Sequence, residues 1–452
     1  MESHSPSRNA VSVPRNTAII VTFKQPIKLS SIIRDYNDNG TPENLSDDTG
    51  TEGINDDGVK IFRTDAGPGE ALASDRVRVR FTEDRRTFIF RPVELLGSGN
   101  VNVGYGVSLE GGRTGVLLEN GDVAFGGAFS TGYVWNFEVG TVTDLTPPRV
   151  VAVTPRPGNQ YARNIVIQVT FNEAVDPTSA TGFVTGGEGF QSLQVHAGGF
   201  TTPPQDGEYR ISNRYRTVEF IPATFCGRNA CGTDMYCLPG ATGIDAIVKA
   251  ATVEGSGPAA QFLASGFDGV VDVAGNSLDG NNDGLTQGPG ADDYSWAFGT
   301  SEEVSILPPS IEETVPPADP LNPGQSNIDP FAPVTARFDT TLRGSTVNTD
   351  HAYILAQEPV ELADTFWWHA SLEDLTAENT PVASREDVAV KSQIMIEHRT
   401  YATSTEYDPF LLSGIQDTYQ NCFNPVSGPG CAAGPGGPTC CQGTRQTAEC
   451  TF

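Results

Sequence analysis

Residues Asp144–Pro177 read DLTPPRVVAVTPRPGNQYARNIVIQVTFNEAVDP, and this stretch decides the fold. Pro147 and Pro148 fix φ and remove two amide donors, so no strand runs through them and they mark a linker. A short apolar run, Val150 to Val153, leads into a turn at Pro155-Arg156-Pro157-Gly158-Asn159. Beyond the turn, Ile165, Ile167, Val169 and Phe171 alternate with Val166, Gln168 and Thr170. A period of two is that of a strand with one face buried. A second turn, Asn172 to Pro177, closes the unit.

Working outward, the same pieces recur. A strand ending in Phe appears as Ile19-Ile20-Val21-Thr22-Phe23, as Ile167 to Phe171, and as Val334-Thr335-Ala336-Arg337-Phe338. A middle strand appears as Arg86 to Pro92 and as Arg216 to Pro222. A closing strand appears as Tyr133-Val134-Trp135-Asn136-Phe137 and as Tyr294-Ser295-Trp296-Ala297-Phe298. Each puts large residues on one side at period two, as a packed sheet requires. The third copy has a linker at Pro308-Pro309 and an Ile394-Met395-Ile396 strand, and its Asp417 to Asn421 echoes Asp272 to Asn276. It has no Tyr-x-Trp-x-Phe strand, and the first copy has neither a Pro-Pro linker nor a clear first strand. With no signal-like start at Met1, this predicts a piece of a longer array.

A Pro-Pro linker, a strand, a Pro-Gly turn, a strand ending in Thr-Phe, then an acidic residue and Asp-Pro resemble the opening of the bacterial immunoglobulin-like domains found in tandem in S-layer and other surface proteins. The resemblance implies an all-β chain of tandem immunoglobulin-like sandwiches over 1–143, 144–304 and 305–452. It implies an extracellular structural or adhesive role, with neighbouring surface-protein subunits or further domains as partners. It brings no catalytic residue.

Composition agrees with that class. A chain of 452 residues exceeds one compact core. Its 49 Gly and 32 Pro break the sequence into short strands, which favours an all-β fold. No apolar run approaches the length of a membrane span. The formal charge of −28 disfavours nucleic acid, which needs a basic face, and suits divalent cations.

The eight cysteines fall in two clusters: Cys226, Cys231 and Cys237, then Cys422, Cys431, Cys440, Cys441 and Cys450. Their spacings do not resemble paired Cys-x2-Cys knuckles, so disulfides in an oxidising compartment are expected. Three in the first cluster predicts one local disulfide and one thiol that is free or paired elsewhere.

Two loops carry alternating oxygens followed by Gly, the pattern of a calcium loop. In the first, the ligands would be Asp35, Asn37, Asn39, Thr41 through its carbonyl, and Glu43. In the second they would be Asp279, Asn281, Asp283 and the carbonyl of Leu285, with Asp292 and Asp293 downstream. On a strand, Trp367-Trp368 would put one indole in the core and leave the other exposed to a glycan or a protein; the alternative is that the variable loop buries both. The five His lack HExxH spacing, and no G-x-S-x-G elbow or phosphate-binding Gly loop occurs. Glu302-Glu303 and Glu312-Glu313 read as solvated linker charges. The expectation is a non-enzymatic, calcium-stiffened array. The alternatives are an array of carbohydrate-binding modules and an accessory region of a larger secreted enzyme.

Overall fold

The computed structural model describes residues 1–37, 53–181, 191–252, 268–317, 325–357, 366–373 and 391–423. For residues 183–185, 188–189, 253–254, 257–258, 374 and four residue pairs between 433 and 445 it describes the backbone alone.

Seven strands form the first sandwich: β1 (Ser3–Ser5), β2 (Ile19–Thr22), β3 (Val59–Arg63), β4 (Val77–Phe81), β5 (Thr87–Pro92), β6 (Val103–Glu110) and β7 (Gly132–Val139). They pair as β1-β2-β5-β4 and β3-β6-β7. Lettered A to G, this is ABED against CFG, the order of a constant-type immunoglobulin domain.

The second sandwich comprises β8 (Val150–Thr154), β9 (Gln160–Tyr161), β10 (Ile167–Phe171), β11 (Phe183–Thr185), β12 (Glu188–Gly189), β13 (Leu193–Ala197), β14 (Gly207–Ser212), β15 (Thr217–Pro222), β18 (Gly243–Val248) and β21 (Tyr294–Thr300). Its sheets, β12-β11-β14-β15-β10-β8 and β13-β18-β21-β9, keep the same order with additions at the edges. Two ribbons stand apart: β16 (Phe225–Arg228) with β17 (Asp234–Tyr236), and β19 (Val253–Glu254) with β20 (Gly257–Pro258).

The third sandwich has β22 (Ile311–Val315), β23 (Val334–Phe338), β24 (Ala352–Ala356), β25 (Trp368–Asp374), β26 (Ser392–His398) and β27 (Tyr407–Leu411). These pair as β22-β23-β26-β25 and β24-β27, which is ABED against CF. The chain is thus all-β, built of tandem immunoglobulin-like sandwiches.

The alternation seen in the sequence is what buries the core. Ile19, Val21, Phe88 and Phe90 of the first sheet meet Val107, Trp135 and Phe137 of the second. In the third sandwich Ala336, Phe338, Ile394 and Ile396 meet Ile354 and Phe423. Truncating one such Phe to Ala costs about 3–5 kcal/mol. The closing-strand tryptophans also hold the opening strand. The indole Nε1 of Trp135 donates to Pro6 O, and that of Trp296 to Pro155 O, both at 3.1 Å. A buried indole needs such an acceptor.

Two expectations are corrected. The first sandwich does have its opening strand: β1 pairs with β2, Ser3 opposite Thr22 and Ser5 opposite Ile20. Ser-His-Ser carries no apolar alternation; backbone pairing holds it, together with the His4 ring, which lies 4.2 Å from that of Trp135. Glu312 and Glu313 lie on β22, ion-paired with Arg337 at 3.3 and 3.0 Å, and are not linker charges. Ladders stay within 1–143, 144–304 and 305–452 among the described strands. Close contacts gather the chain into two compact units. The first unit is Met1–Pro148, Ala174–Gly182 and Lys249–Asp293. The second is Arg149–Glu173, Phe183–Val248 and Tyr294–Phe452.

Among the described residues no strand pairs with the outer edge of β27, and its sequence suits that edge. Leu412 N donates to His351 O and Gln357 N to Glu406 O, which turns the backbone nitrogen of Pro409 to the outer edge. Proline is tolerated where no neighbouring strand needs its N–H. The central strands β6 and β18 carry no proline.

Candidate metal centre and the joints between sandwiches

The loop after Leu278 belongs to the first unit. Asp279, Asp283 and Asp292 each bring an oxygen to within 4.8 Å of the others. Asp279 and Asp292 are fully buried and Asp283 is exposed. The backbone turns around these side chains. Asp279 accepts from Asp283 N at 3.1 Å and Gly284 N at 2.9 Å. Asn281 Oδ1 accepts from Asp283 N, and its amide donates to Ala291 O. Asp283 Oδ1 accepts from Leu285 N. Asp292 Oδ2 accepts from the amides of Gln287 and Gly288. Asp279, Asn281, Asp283 and Leu285 therefore share one loop, and Asp292 joins them from its far end. Asp292 lies outside the spacing of a single calcium loop, so the motif did not rank it as a ligand.

The other loop is described only in part. Asp35 and Asn37 are exposed, and Asp35 takes a positive φ of 54°. Asn39, Thr41 and Glu43 lie outside the described residues.

Each unit contains a joint of the same design. Asn16 and Asn164 stand three residues before Ile19 and Ile167, which open the core strands. Asn16 Nδ2 donates to Asp144 O at 2.7 Å, and its Oδ1 accepts from Asp144 N at 2.8 Å. Asn164 grips Ser305 in the same two-point way, at 2.9 Å for both bonds. Asp144 and Ser305 each precede a Pro-Pro pair by three residues. One asparagine thus clamps each linker.

A backbone bond follows in each case. Ala18 N donates to Val273 O at 3.0 Å, and Val166 N to Thr418 O at 2.7 Å. Both acceptors lie in a buried Asp-x3-Asn turn. Asp272 Oδ1 accepts from the amides of Ala274 and Asn276, and its Oδ2 from Asn276 Nδ2, all at 2.8 Å. Asp417 holds the N and Nδ2 of Asn421 at 2.8 and 3.2 Å. Burial pushes the Asp272 carboxyl up to about 6 and that of Asp417 to about 7. The first sandwich has the equivalent turn, Leu118 N donating to Asp122 O, with Leu in place of the acid.

A hydroxyl ties each turn to the strand crossing. Ser31, Ser179 and Thr346 donate to the carbonyls of Lys28, Asp176 and Arg343 at 2.7–2.8 Å. They accept from the amides of Leu117, Val271 and Gln416 at 3.0–3.2 Å.

The two joints differ in their charges. In the first unit Arg91 of β5 approaches Asp176 at 3.9 Å. In the second unit Glu219 of β15 approaches Arg343 at 3.7 Å, with side chains 0% and 9% exposed. Asp176 and Arg343 hold equivalent positions, three residues before the conserved hydroxyl, so the sign is exchanged. Glu219 Oε1 also accepts from Gln168 Nε2 and Ser345 N, each at 3.0 Å. Gln168 Nε2 donates in turn to Leu342 O at 3.0 Å, and Arg343 Nη1 to Gln416 Oε1 at 2.6 Å. Burial lowers the pKa of Arg343, and the Glu219 charge opposes that shift. Gln168 belongs to the alternate face of its strand, which a half-buried strand turns to water. Here that face is buried as well, because the third sandwich covers it.

The third sandwich carries neither receiving group. Phe331 and Pro333 stand where Asn16 and Ala18, or Asn164 and Val166, stand in the others. Thr335 and Met395 are half-exposed, where Ile20 and Ile89, or Gln168 and Glu219, are buried.

Cys226 is bonded to Cys237, a local disulfide, and Cys231 to Cys422 across 191 residues. Cys431, Cys440, Cys441 and Cys450 lie outside the residues whose side chains are described. Trp367 and Trp368 are both half-buried, so the expected split into one core and one exposed indole is corrected. Phe366 takes the core position beside them, packed on Tyr401 and Tyr407. Trp368 lies 6.4 Å from Tyr353, which stacks on Phe410.

No protein-family profile matches the chain, and no curated protein does. Among solved structures, it is similar to a chimeric titin Z1Z2 carrying an exogenous decorin peptide. That match has 10% identity and a TM-score of 0.18, and covers 55% of this chain and 88% of that one. It is similar to the S-layer protein rSbsC(31-844) at 9% identity and a TM-score of 0.19, over 89% of this chain and 53% of that one. A marsupial T cell receptor matches at 8% identity and a TM-score of 0.18, over 91% of this chain and all of that one. Likenesses this low carry no weight; the immunoglobulin-like assignment rests on the strand order.

Proposed function

We propose that this chain is a non-enzymatic structural or adhesive array of immunoglobulin-like sandwiches, working outside a bacterial cell on its surface or in an extracellular filament. Its partners are neighbouring subunits or further domains. The observation that carries the reading is the joint, made once in each unit from an asparagine clamp, a backbone bond and a buried Asp-x3-Asn turn. Its buried polar groups are satisfied by holding one sandwich to the next. An enzyme would instead converge reactive groups on a cleft. The two disulfides suit an oxidising compartment. The acidic balance suits a solvated coat.

Limited proteolysis tests it. Leu145 and Ile306 sit in the linkers, 78% and 70% exposed, and offer cleavage sites to thermolysin, which cuts on the amino side of an apolar residue. Clamped linkers should resist cutting in the wild type. Asn16→Ala should open residues 144–148, and Asn164→Ala residues 305–309. Wild-type linkers cut as fast as those of the variants would sink the reading.

A further inference from the structure

We propose that Asp279, Asp283 and Asp292 hold one calcium ion, which fastens the loop of residues 279–292 against the linker that ends at Pro148. The inference deepens the array reading, because it assigns a cation to one joint. Oxygens within 4.8 Å of one another fit around an ion whose oxygen distances are about 2.3–2.6 Å, since ligands on opposite sides then lie roughly 4.6–5.2 Å apart. Magnesium binds at about 2.0–2.1 Å with strict octahedral geometry and needs a tighter set. Zinc favours nitrogen and sulfur, which this loop lacks.

An acidic cluster alone would not carry the proposal. The second observation is Asp292. The residue is fully buried, its Oδ2 is engaged by two amides, and its Oδ1 is buried with no hydrogen-bond partner among the described residues. Burying an unpaired carboxylate oxygen beside two more carboxylates is costly, and a divalent ion removes both the repulsion and the vacant valence. The site also has a fixed base. Asp279 N donates to Pro148 O and Gly280 N to Asp292 O, both at 2.9 Å. The first bond ties Asp279 to the end of the linker, and the second ties Asp292 to the base of the loop. Asp283 is the exposed ligand, through which an ion enters.

The test uses the full chain, calcium chloride and equilibrium dialysis, with thermal melting in calcium or chelator. Asp292→Asn keeps an oxygen for the two amides and replaces the unpaired oxygen by an uncharged amide group. It should bind one calcium fewer per chain than the wild type. Its melting temperature in chelator should match or exceed the wild type, because a repulsion has gone, while its calcium response shrinks. Asp283→Asn is exposed and folds regardless; it should weaken binding at least tenfold. Any ion held by the loop at 35–43 cancels from these differences. An unchanged calcium stoichiometry in both variants, or an equal response to magnesium, overturns the proposal. The clamp bonds of Asn16 and Asn164 involve none of these carboxylates, so that outcome leaves the proteolysis test of the array intact.

Discussion

The joint in the first unit and the joint in the second share a backbone and differ in what surrounds it. Both have the clamp, the amide-to-carbonyl bond and the Asp-x3-Asn turn. In the first, Arg91 meets Asp176 loosely, and Ile20 and Ile89 fill the outer sheet face. In the second, the same face carries Gln168 and Glu219, and the neighbour answers with Arg343, Ser345 and Gln416. Gln420 adds more. It takes a φ of 66°, where the equivalent Gly121 and Gly275 take 87° and 95°. Its side chain then bonds Asn164 O, Tyr236 O and Tyr236 N. The lesson is that backbone geometry makes the joint, while side chains decide which neighbour fits. Opposite charges at the equivalent positions Asp176 and Arg343, met by Arg91 and Glu219 from places two residues apart on the equivalent strand, discriminate the two joints, since like charges would face each other in a wrong pairing.

The largest expected contrast is covalent. Replacing Cys231 and Cys422 together by Ser should destabilise the second unit by about 5 kcal/mol on the chain-entropy estimate, because the closed loop spans 191 residues. Opening Cys226–Cys237, separated by 11, should cost about 3 kcal/mol. Denaturant unfolding of the two double variants measures both. Equal losses would show that the long disulfide constrains little.

Next come the ion pairs. Arg343→Ala leaves Glu219 buried without its cation and should cost about 3–5 kcal/mol. Asp176→Ala removes a loose pair and the cap on Thr178 N, and should cost about 1–2 kcal/mol. Comparable losses at the two sites would erase the distinction drawn between the joints.

The remaining contrast is in pH. Asp272 and Asp417 have folded pKa values near 6 and 7, raised from 3.8. A carboxyl raised by folding contributes stability that is complete below its unfolded pKa and is lost as pH rises through the folded value. The first joint should therefore loosen between about pH 4 and 6 by roughly 3 kcal/mol, and the second between about pH 4 and 7 by roughly 4 kcal/mol. Hydrogen exchange at Ala18 reads the first joint and exchange at Val166 the second, with the second losing protection at the higher pH. Asp417→Asn should flatten the Val166 profile and leave that of Ala18 as it was. Parallel profiles in wild type and variant would refute the assignment.

Much of this was readable beforehand. Period-two alternation located β2, β10 and β23, and the Tyr-x-Trp-x-Phe strands located β7 and β21, because apolar side chains there have a single core to face. The Asp-x3-Asn echo was visible as a pattern, but its role was not. That role depends on a partner surface more than a hundred residues away. Ser-His-Ser could not be read as β1, since a strand held by backbone pairing and one imidazole leaves no apolar mark. Gln168 and Glu219 resemble solvent-facing residues until a neighbour covers them. Asp292 joins the acidic loop through space, beyond the reach of a linear motif.

The bond between Cys231 and Cys422 has a mechanical consequence. When the chain is pulled from its ends, tension entering at Cys231 leaves at Cys422 through one covalent bridge. The segment between them, a sequence separation of 191, carries no load while the bridge stands. Fully extended at about 3.4 Å per residue, that segment stores roughly 650 Å of slack. Under load the protein thus behaves as a short tether with a long reserve, released only by reduction.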